Sequence, residues 1–172
     1  ADITVIEEAA ELVQRLQDPN ATLPILTSCC PSWVKFIEHQ FGDCLDIPST
    51  AKSPHEIFGA LAKTYFADRI KETTRSVPCV AKKYESARPE LGLSNDVSDV
   101  DYVITTRELG HMLHDLSLDF DSLEEEPFDE LMGESSGAGD VFGVTGGVIE
   151  AALRTAHYFL TGEDAPKPEF EA

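Results

Sequence analysis

Tyr102-Val103-Ile104-Thr105, followed without a break by Thr106-Arg107-Glu108-Leu109, is the stretch whose reading decides the fold class. Its β-branched and aromatic residues make a short strand, and residues 106–116 then take up helical composition and spacing. Two earlier stretches have the same character. Leu23-Pro24-Ile25-Leu26 reads as a short buried strand, and residues 33–41 beyond it place Trp33, Phe36 and Ile37 on one helical side. Ser76-Val77-Pro78-Cys79-Val80 reads as a strand end entering a loop, with a polar, turn-like segment at 83–88. Strands alternating with helices predict an α/β fold, a parallel sheet with flanking helices.

Outward from these stretches, residues 7–16 (EEAAELVQRL) form a helix by composition. Leu12, Val13 and Leu16 make its apolar stripe, and Glu8, Glu11 and Arg15 lie on another face. Ser53-Pro54-His55-Glu56 is a helix start, with Ser at the N-cap, Pro in the first turn and Glu three residues on. It predicts a helix over 54–69. Residues 119–130 are acidic and read as a solvated loop. Residues 133–147 hold six glycines and read as a shaped loop packed closely ahead of a helix at 148–160. A phosphate-binding role for that loop is disfavoured, because the Lys-Ser/Thr pair of a P-loop is absent. The organisation expected is a domain over 1–162 and an acidic, proline-containing tail over 163–172.

Length and charge exclude several function classes. A chain of 172 residues fits one domain, and no apolar run approaches the ~18–20 residues of a membrane span. Ala1-Asp2-Ile3-Thr4 has neither the basic nor the apolar region of a signal peptide; the absent initiator Met suggests a processed chain or a piece of a longer one. Lys and Arg number 13 against 32 Asp and Glu, a net charge of −19. Such a surface repels phosphate backbones and anionic membranes, which argues against nucleic-acid partners.

The cysteines carry the first hint of chemistry. Cys29 and Cys30 are adjacent, which strains a mutual disulfide, and four cysteines are too sparse for a secreted disulfide scaffold. They read as reduced. Cys29, Cys30 and Cys79 fall beyond the C-terminal ends of expected strands, where ligands sit in open α/β sheets. Residue chemistry alone leaves two readings evenly open: a thiolate-ligated metal or iron–sulfur site, or buried small hydrophobes. Zinc is disfavoured by the lack of a C-x-x-C pair. A Cys/His nucleophile is disfavoured because the five histidines are scattered over expected helices, most of them as surface or capping residues.

Taken together, these residues resemble a known family. Thr27-Ser28-Cys29-Cys30-Pro31-Ser32-Trp33 is similar to the first signature of the active-site domain of [FeFe]-hydrogenases, T-S-C-C-P-x-W. Pro78-Cys79-Val80-Ala81-Lys82-Lys83-Tyr84-Glu85 is similar to the second, P-C-x-x-K-K-x-E. Ala51-Lys52-Ser53-Pro54, the stretch 102–109 and Phe142-Gly143-Val144-Thr145-Gly146-Gly147 match in style, so the resemblance reaches to about Gly162. It implies part of a two-lobed H-cluster domain catalysing reversible proton reduction to H2. The cofactor implied is a [4Fe–4S] cluster linked to a di-iron unit with CO, cyanide and azadithiolate.

The resemblance also implies roles. Cys30 and Cys79 match two of the four cluster ligands, Cys29 the thiol that passes protons, and Lys82 the ammonium that holds an iron-bound cyanide. Glu8, Ser49, Glu11 and Arg15 match the onward proton path, although Glu8, Glu11 and Arg15 by themselves read as a solvated helix face with an i,i+4 ion pair, and Lys82 by itself reads as an exposed lysine. Pro54, His55, Val77 and Phe142 match cofactor-approaching positions, with Val77 where Met is usual and His55 where Gln is usual. The family's later C-x-x-x-C segment has no match here, so the chain alone is expected to hold an incomplete ligand set and to be inactive by itself. Expected partners are the remainder of the hydrogenase domain, a ferredoxin-like electron carrier, and H2 and protons, in the cytoplasm or periplasm. The alternative parent is a non-catalytic sensory or iron–sulfur assembly homologue.

Overall fold

Alanine and glutamate, both good helix formers, are the commonest of the first seventeen residues, and in the computed structural model residues 2–17 form helix α1 (Asp2–Gln17), longer at its start than composition predicts. The structure describes residues 1–68, 74–77, 79–92, 97–127 and 134–166, with the side chains of 74–77 excepted. The chain divides into two compact units. One comprises Ala1–Phe58 and Ser135–Ala172, the other Gly59–Glu134.

In the first unit, α1 packs on the last helix, α7 (Gly147–Thr161). The core cluster joins Ala9 and Leu12 on α1 to Ala156 on α7, with Val13, Ile25 and Leu153 packed against it; Ala151 and Ala152 on α7 are likewise buried. Val5 and Leu12 on α1 are both buried, each contributing about 1.5–3 kcal/mol by burial. Leu16, expected in the apolar stripe, is exposed instead. Between these helices come α2 (Pro31–Gln40) and the start of α3 (Pro54–Thr64). On α2, Ile37 is buried, while Phe36 stays half exposed between Trp33 and Phe41.

The strand expected at 23–26 is corrected to a single parallel bridge, Leu26 with Pro48. Pro24 and Pro48 supply no N–H donor for a ladder to grow on. The helix expected over 54–69 ends at Thr64; Arg69 lies outside the described residues. Ser53 caps it, accepting from the Glu56 backbone N–H at 3.4 Å.

The glycine-rich stretch is not all loop. Ser136 caps a short helix, α6 (Gly137–Phe142), that leads into α7. Gly146 and Gly162, at the two ends of α7, both sit at φ +73°, which glycine adopts without steric cost. Gly147 is required for a different reason: a Cβ there would lie 1.7 Å from the Val141 carbonyl oxygen.

The second unit carries the sheet. β1 (Thr74–Val77) pairs in parallel with β2 (Tyr102–Thr105), Val77 opposite Thr105. The segment read as turn-like is helix α4 (Ala81–Ser86), which packs on β2. β2 runs directly into α5 (Thr106–Asp115) through a capping box between Thr105 and Glu108. Glu108 also accepts from the Lys83 Nζ at 2.6 Å. That bond, with those from the Thr105 N–H and hydroxyl, holds its carboxyl down to about 2. Lys63 donates to the Ser98 carbonyl (2.6 Å) and to Asp101 (2.7 Å), fixing the approach to β2. The acidic stretch read as a loop contains one 3-10 turn, Phe120–Ser122, and its residues 128–130 lie outside the described residues, as do 167–172 of the expected tail. No helix among the described residues is long and apolar enough to cross a membrane.

Candidate functional site

Glu8, Glu11 and Arg15 recur along one face of α1, and the segment 46–51 is laid against that face. The Leu26–Pro48 bridge sets it there: Leu26 donates to the Ile47 carbonyl at 3.3 Å, and Ser49 donates back to the Leu26 carbonyl at 2.7 Å. The face is therefore not solvated, and this corrects the reading of the three residues as a surface pair. Glu8 is 3% exposed and Ser49 6%.

The polar atoms of this cluster are densely joined. Arg15 donates from Nε (3.0 Å) and Nη2 (2.6 Å) to Glu11 Oε1. Its remaining N–H groups reach the carbonyls of Pro48 (2.9 Å), Asp46 (2.8 Å), Thr22 (3.2 Å) and Ile47 (3.3 Å). Glu11 Oε2 accepts from Ser49 Oγ at 2.8 Å, from the Thr50 N–H at 2.8 Å and from Thr50 Oγ1 at 3.0 Å. Ser49 Oγ accepts from the Ala51 N–H at 3.1 Å, and its hydroxyl acts to lower the Glu8 carboxyl. One hydroxyl thus influences two carboxyls and is bonded to one of them, Glu11.

Their environments push the two acids apart. Burial raises Glu8 above the ordinary carboxylate range, and the nearby Glu11 charge adds to this against the Ser49 hydroxyl and the Arg15 charge. Burial also acts to raise Glu11, but the bonds from Ser49, Arg15 and Thr50 together outweigh it and leave Glu11 below its ordinary value. An inner acid inclined to keep its proton, a hydroxyl, and an outer carboxylate form an arrangement able to hand protons along.

The other expected site residues are distributed over both units. Cys30 flanks the start of α2 and is exposed, Cys29 before it is half-buried, and Pro31 opens the helix. Cys79 is exposed one residue before Val80, the N-cap of α4, and its carbonyl accepts from the Lys82 N–H at 3.2 Å. Lys82 is not an exposed lysine: its side chain is 14% exposed, and its Nζ donates to the buried Glu85 at 2.8 Å. Pro54 opens α3, and His55 beside it is buried with Nδ1 3.2 Å from Glu56 Oε1. Phe142 ends α6, half-buried, and Val77 ends β1.

Two participants carried no assigned role in the sequence reading, although Glu85 closes the second signature. Thr50 follows Ser49 directly, and only its tertiary meeting with Glu11 distinguishes it from any other exposed threonine. Glu85 had a legible signal, the i,i+3 spacing from Lys82, which pairs side chains once a helix forms there.

The whole chain, residues 1–172, matches the family described as "Iron only hydrogenase large subunit, C-terminal domain". It is 56% identical over 182 residues to the NADP-reducing hydrogenase subunit HndD of Solidesulfovibrio fructosivorans, a match that covers 99% of this chain and 31% of that protein. It is 34% identical to cytosolic iron-sulfur assembly component 3 of Bos taurus, over 94% of this chain and 37% of that one. Among solved structures, a variant of apo [FeFe]-hydrogenase HydA1 from Chlamydomonas reinhardtii superposes with a TM-score of 0.83 at 37% identity, covering 99% of this chain and 45% of that one. The chain spans less than half the length of each of these relatives. The superposition places it in the α/β class that the strand–helix alternation predicts.

Proposed function

The chain belongs to the family of iron-only hydrogenase large subunits, C-terminal domain, and from that premise we propose that it is the proton-conducting part of an [FeFe]-hydrogenase. The observation that carries this reading is the hydrogen-bonded chain Ser49, Glu11 and Arg15 with the buried Glu8 carboxyl beside it on the same helix face. The donors in the chain fit part of an H-cluster. Cys30 and Cys79 are exposed thiols, the soft ligands iron–sulfur clusters use, and Lys82 is a largely buried ammonium suited to a charge-assisted bond to a cyanide nitrogen. In this reading Cys30 and Cys79 would supply thiolates to the [4Fe–4S] portion, and Pro54, His55, Val77 and Phe142 would serve the di-iron portion. When bound, the H-cluster supplies the redox chemistry that interconverts H2 with protons and electrons.

The residues of this chain manage the protons. Cys29 exchanges a proton with the inner end of the path at Glu8. Glu8 gives its proton to Ser49 Oγ as Ser49 gives its own to Glu11 Oε2, so the hydroxyl ends the step unchanged. Arg15 keeps Glu11 anionic between transfers. The remaining cluster ligands belong to the rest of the hydrogenase domain, and electrons are exchanged with a ferredoxin-like carrier. The second reading, an iron–sulfur assembly parent, follows from the 34% identity to the bovine protein, but it leaves the two carboxyls without a task.

The test is Glu11→Gln in the iron-loaded enzyme containing this chain. Turnover of H2 per bound iron should fall by about 10²–10⁴-fold while iron content per folded chain stays at the wild-type value. Wild-type turnover per bound iron would overturn the proposal in favour of the assembly reading.

A further inference from the structure

Glu11 cannot release its proton through Arg15. All the guanidinium N–H groups are engaged, with Glu11 Oε1 and with the carbonyls of Thr22, Asp46, Ile47 and Pro48. A guanidinium is moreover always protonated and offers no lone pair to receive a proton. It also grips Oε1, whereas Ser49 delivers to Oε2. Three donors meet Oε2: Ser49 Oγ, the Thr50 N–H and Thr50 Oγ1. The Thr50 N–H is a fixed backbone donor, and Ser49 is buried. Thr50 is exposed, and its hydroxyl can rotate from donor to acceptor.

We propose that the Thr50 hydroxyl is the outlet of the proton path, and that Arg15 is a positioning residue that holds Glu11 in place. A proton arriving on Glu11 Oε2 passes to Thr50 Oγ1 as the hydroxyl proton of Thr50 passes to water. One proton moves outward, and both the carboxylate and the hydroxyl are restored. This rests on the relay reading of Glu8, Ser49 and Glu11 and adds its last step. The charged groups around Glu11 are Glu8 and Arg15 on its own helix. The facing segment contributes hydroxyl and backbone donors, its nearby Asp46 carboxylate being held by Thr22 Oγ1 at 2.5 Å.

The experiment compares Thr50→Val, Thr50→Ser and Glu11→Gln. In the iron-loaded enzyme, Thr50→Val should slow turnover roughly tenfold, the equivalent of one hydrogen bond to a charged group, and Thr50→Ser should restore it. In the 172-residue chain, carbon-13 NMR titration of the Glu11 carboxyl should show its midpoint displaced upward in Thr50→Val and unmoved in Thr50→Ser. Wild-type turnover in Thr50→Val alongside a slow Glu11→Gln overturns the outlet and leaves the relay standing. Wild-type turnover in Glu11→Gln overturns both. An unmoved Glu11 midpoint in Thr50→Val removes the hydroxyl bond on which the step depends, and with it the proposal.

Discussion

Glu8 and Glu11 share a helix face and the same side chain, yet the fold gives them opposite linkage to pH. Glu8 is buried and raised, so the folded chain takes up its proton more readily than the unfolded one. Its ionisation costs stability as pH rises from the ordinary carboxylate range, and the cost is complete above the raised value. Glu11 is lowered, so its contribution is present above the ordinary range and is lost as pH falls through the lowered value. Glu8→Gln removes the first effect and preserves shape and hydrogen bonding. Its melting temperature should exceed wild type at pH 8, by about 2–4 °C for each kcal/mol recovered, and the gap should close near the ordinary carboxylate range, about pH 4. Thermal unfolding of both proteins between those limits checks this; a pH-independent gap would mean that Glu8 ionises in the fold at no cost. The face itself was legible from the recurrence of Glu8, Glu11 and Arg15. Its burial was not, because nothing in residues 7–16 announces that residues 46–51 will cover it.

At the scale of elements, legibility followed apolar periodicity. The helices α1, α2, α5 and α7 were readable because each combines good formers with an apolar side. Helix α4 was not, since Ala-Lys-Lys-Tyr-Glu-Ser has no such stripe; packing on β2 and the Lys83–Glu108 and Lys82–Glu85 pairs accompany its formation. Leu23-Pro24-Ile25-Leu26 erred the other way, its apolar run resembling a strand that its proline cannot extend. The glycines before α7 were read as close packing, and the structure makes that testable. Gly147→Ala drives a Cβ to 1.7 Å from the Val141 carbonyl oxygen, so α6 and α7 must separate, at a cost of about 1–3 kcal/mol. Gly143→Ala meets only the Asp140 carbonyl, at 3.6 Å, an ordinary contact at a helical φ of −78°. Denaturant unfolding should therefore show a lower midpoint for Gly147→Ala and little change for Gly143→Ala; equal midpoints would contradict the close approach.

For the whole molecule, the decisive quantity is the thiolate count. In the proposed reading Cys30 and Cys79 are the cluster ligands this chain supplies, where a [4Fe–4S] cluster takes about four cysteines. Anaerobic reconstitution of the 172-residue chain, with iron and sulfide analysis and a measured mass, should give clearly less than one cluster per monomer. About four irons on a monomeric chain would show that other groups complete the set. The sequence by itself determined the α/β class, the long helices and the cysteine signatures, because these depend on local periodicity and on residue identity at short spacing. Only the tertiary structure decided which polar residues meet. Ser49 and Thr50 meet α1 across about 40 residues of sequence, Thr50 bonding Glu11 at a separation of 39, and the protonation of Glu8 and Glu11 is set by burial and hydrogen bonds that exist only after α1 and the 46–51 segment close on one another.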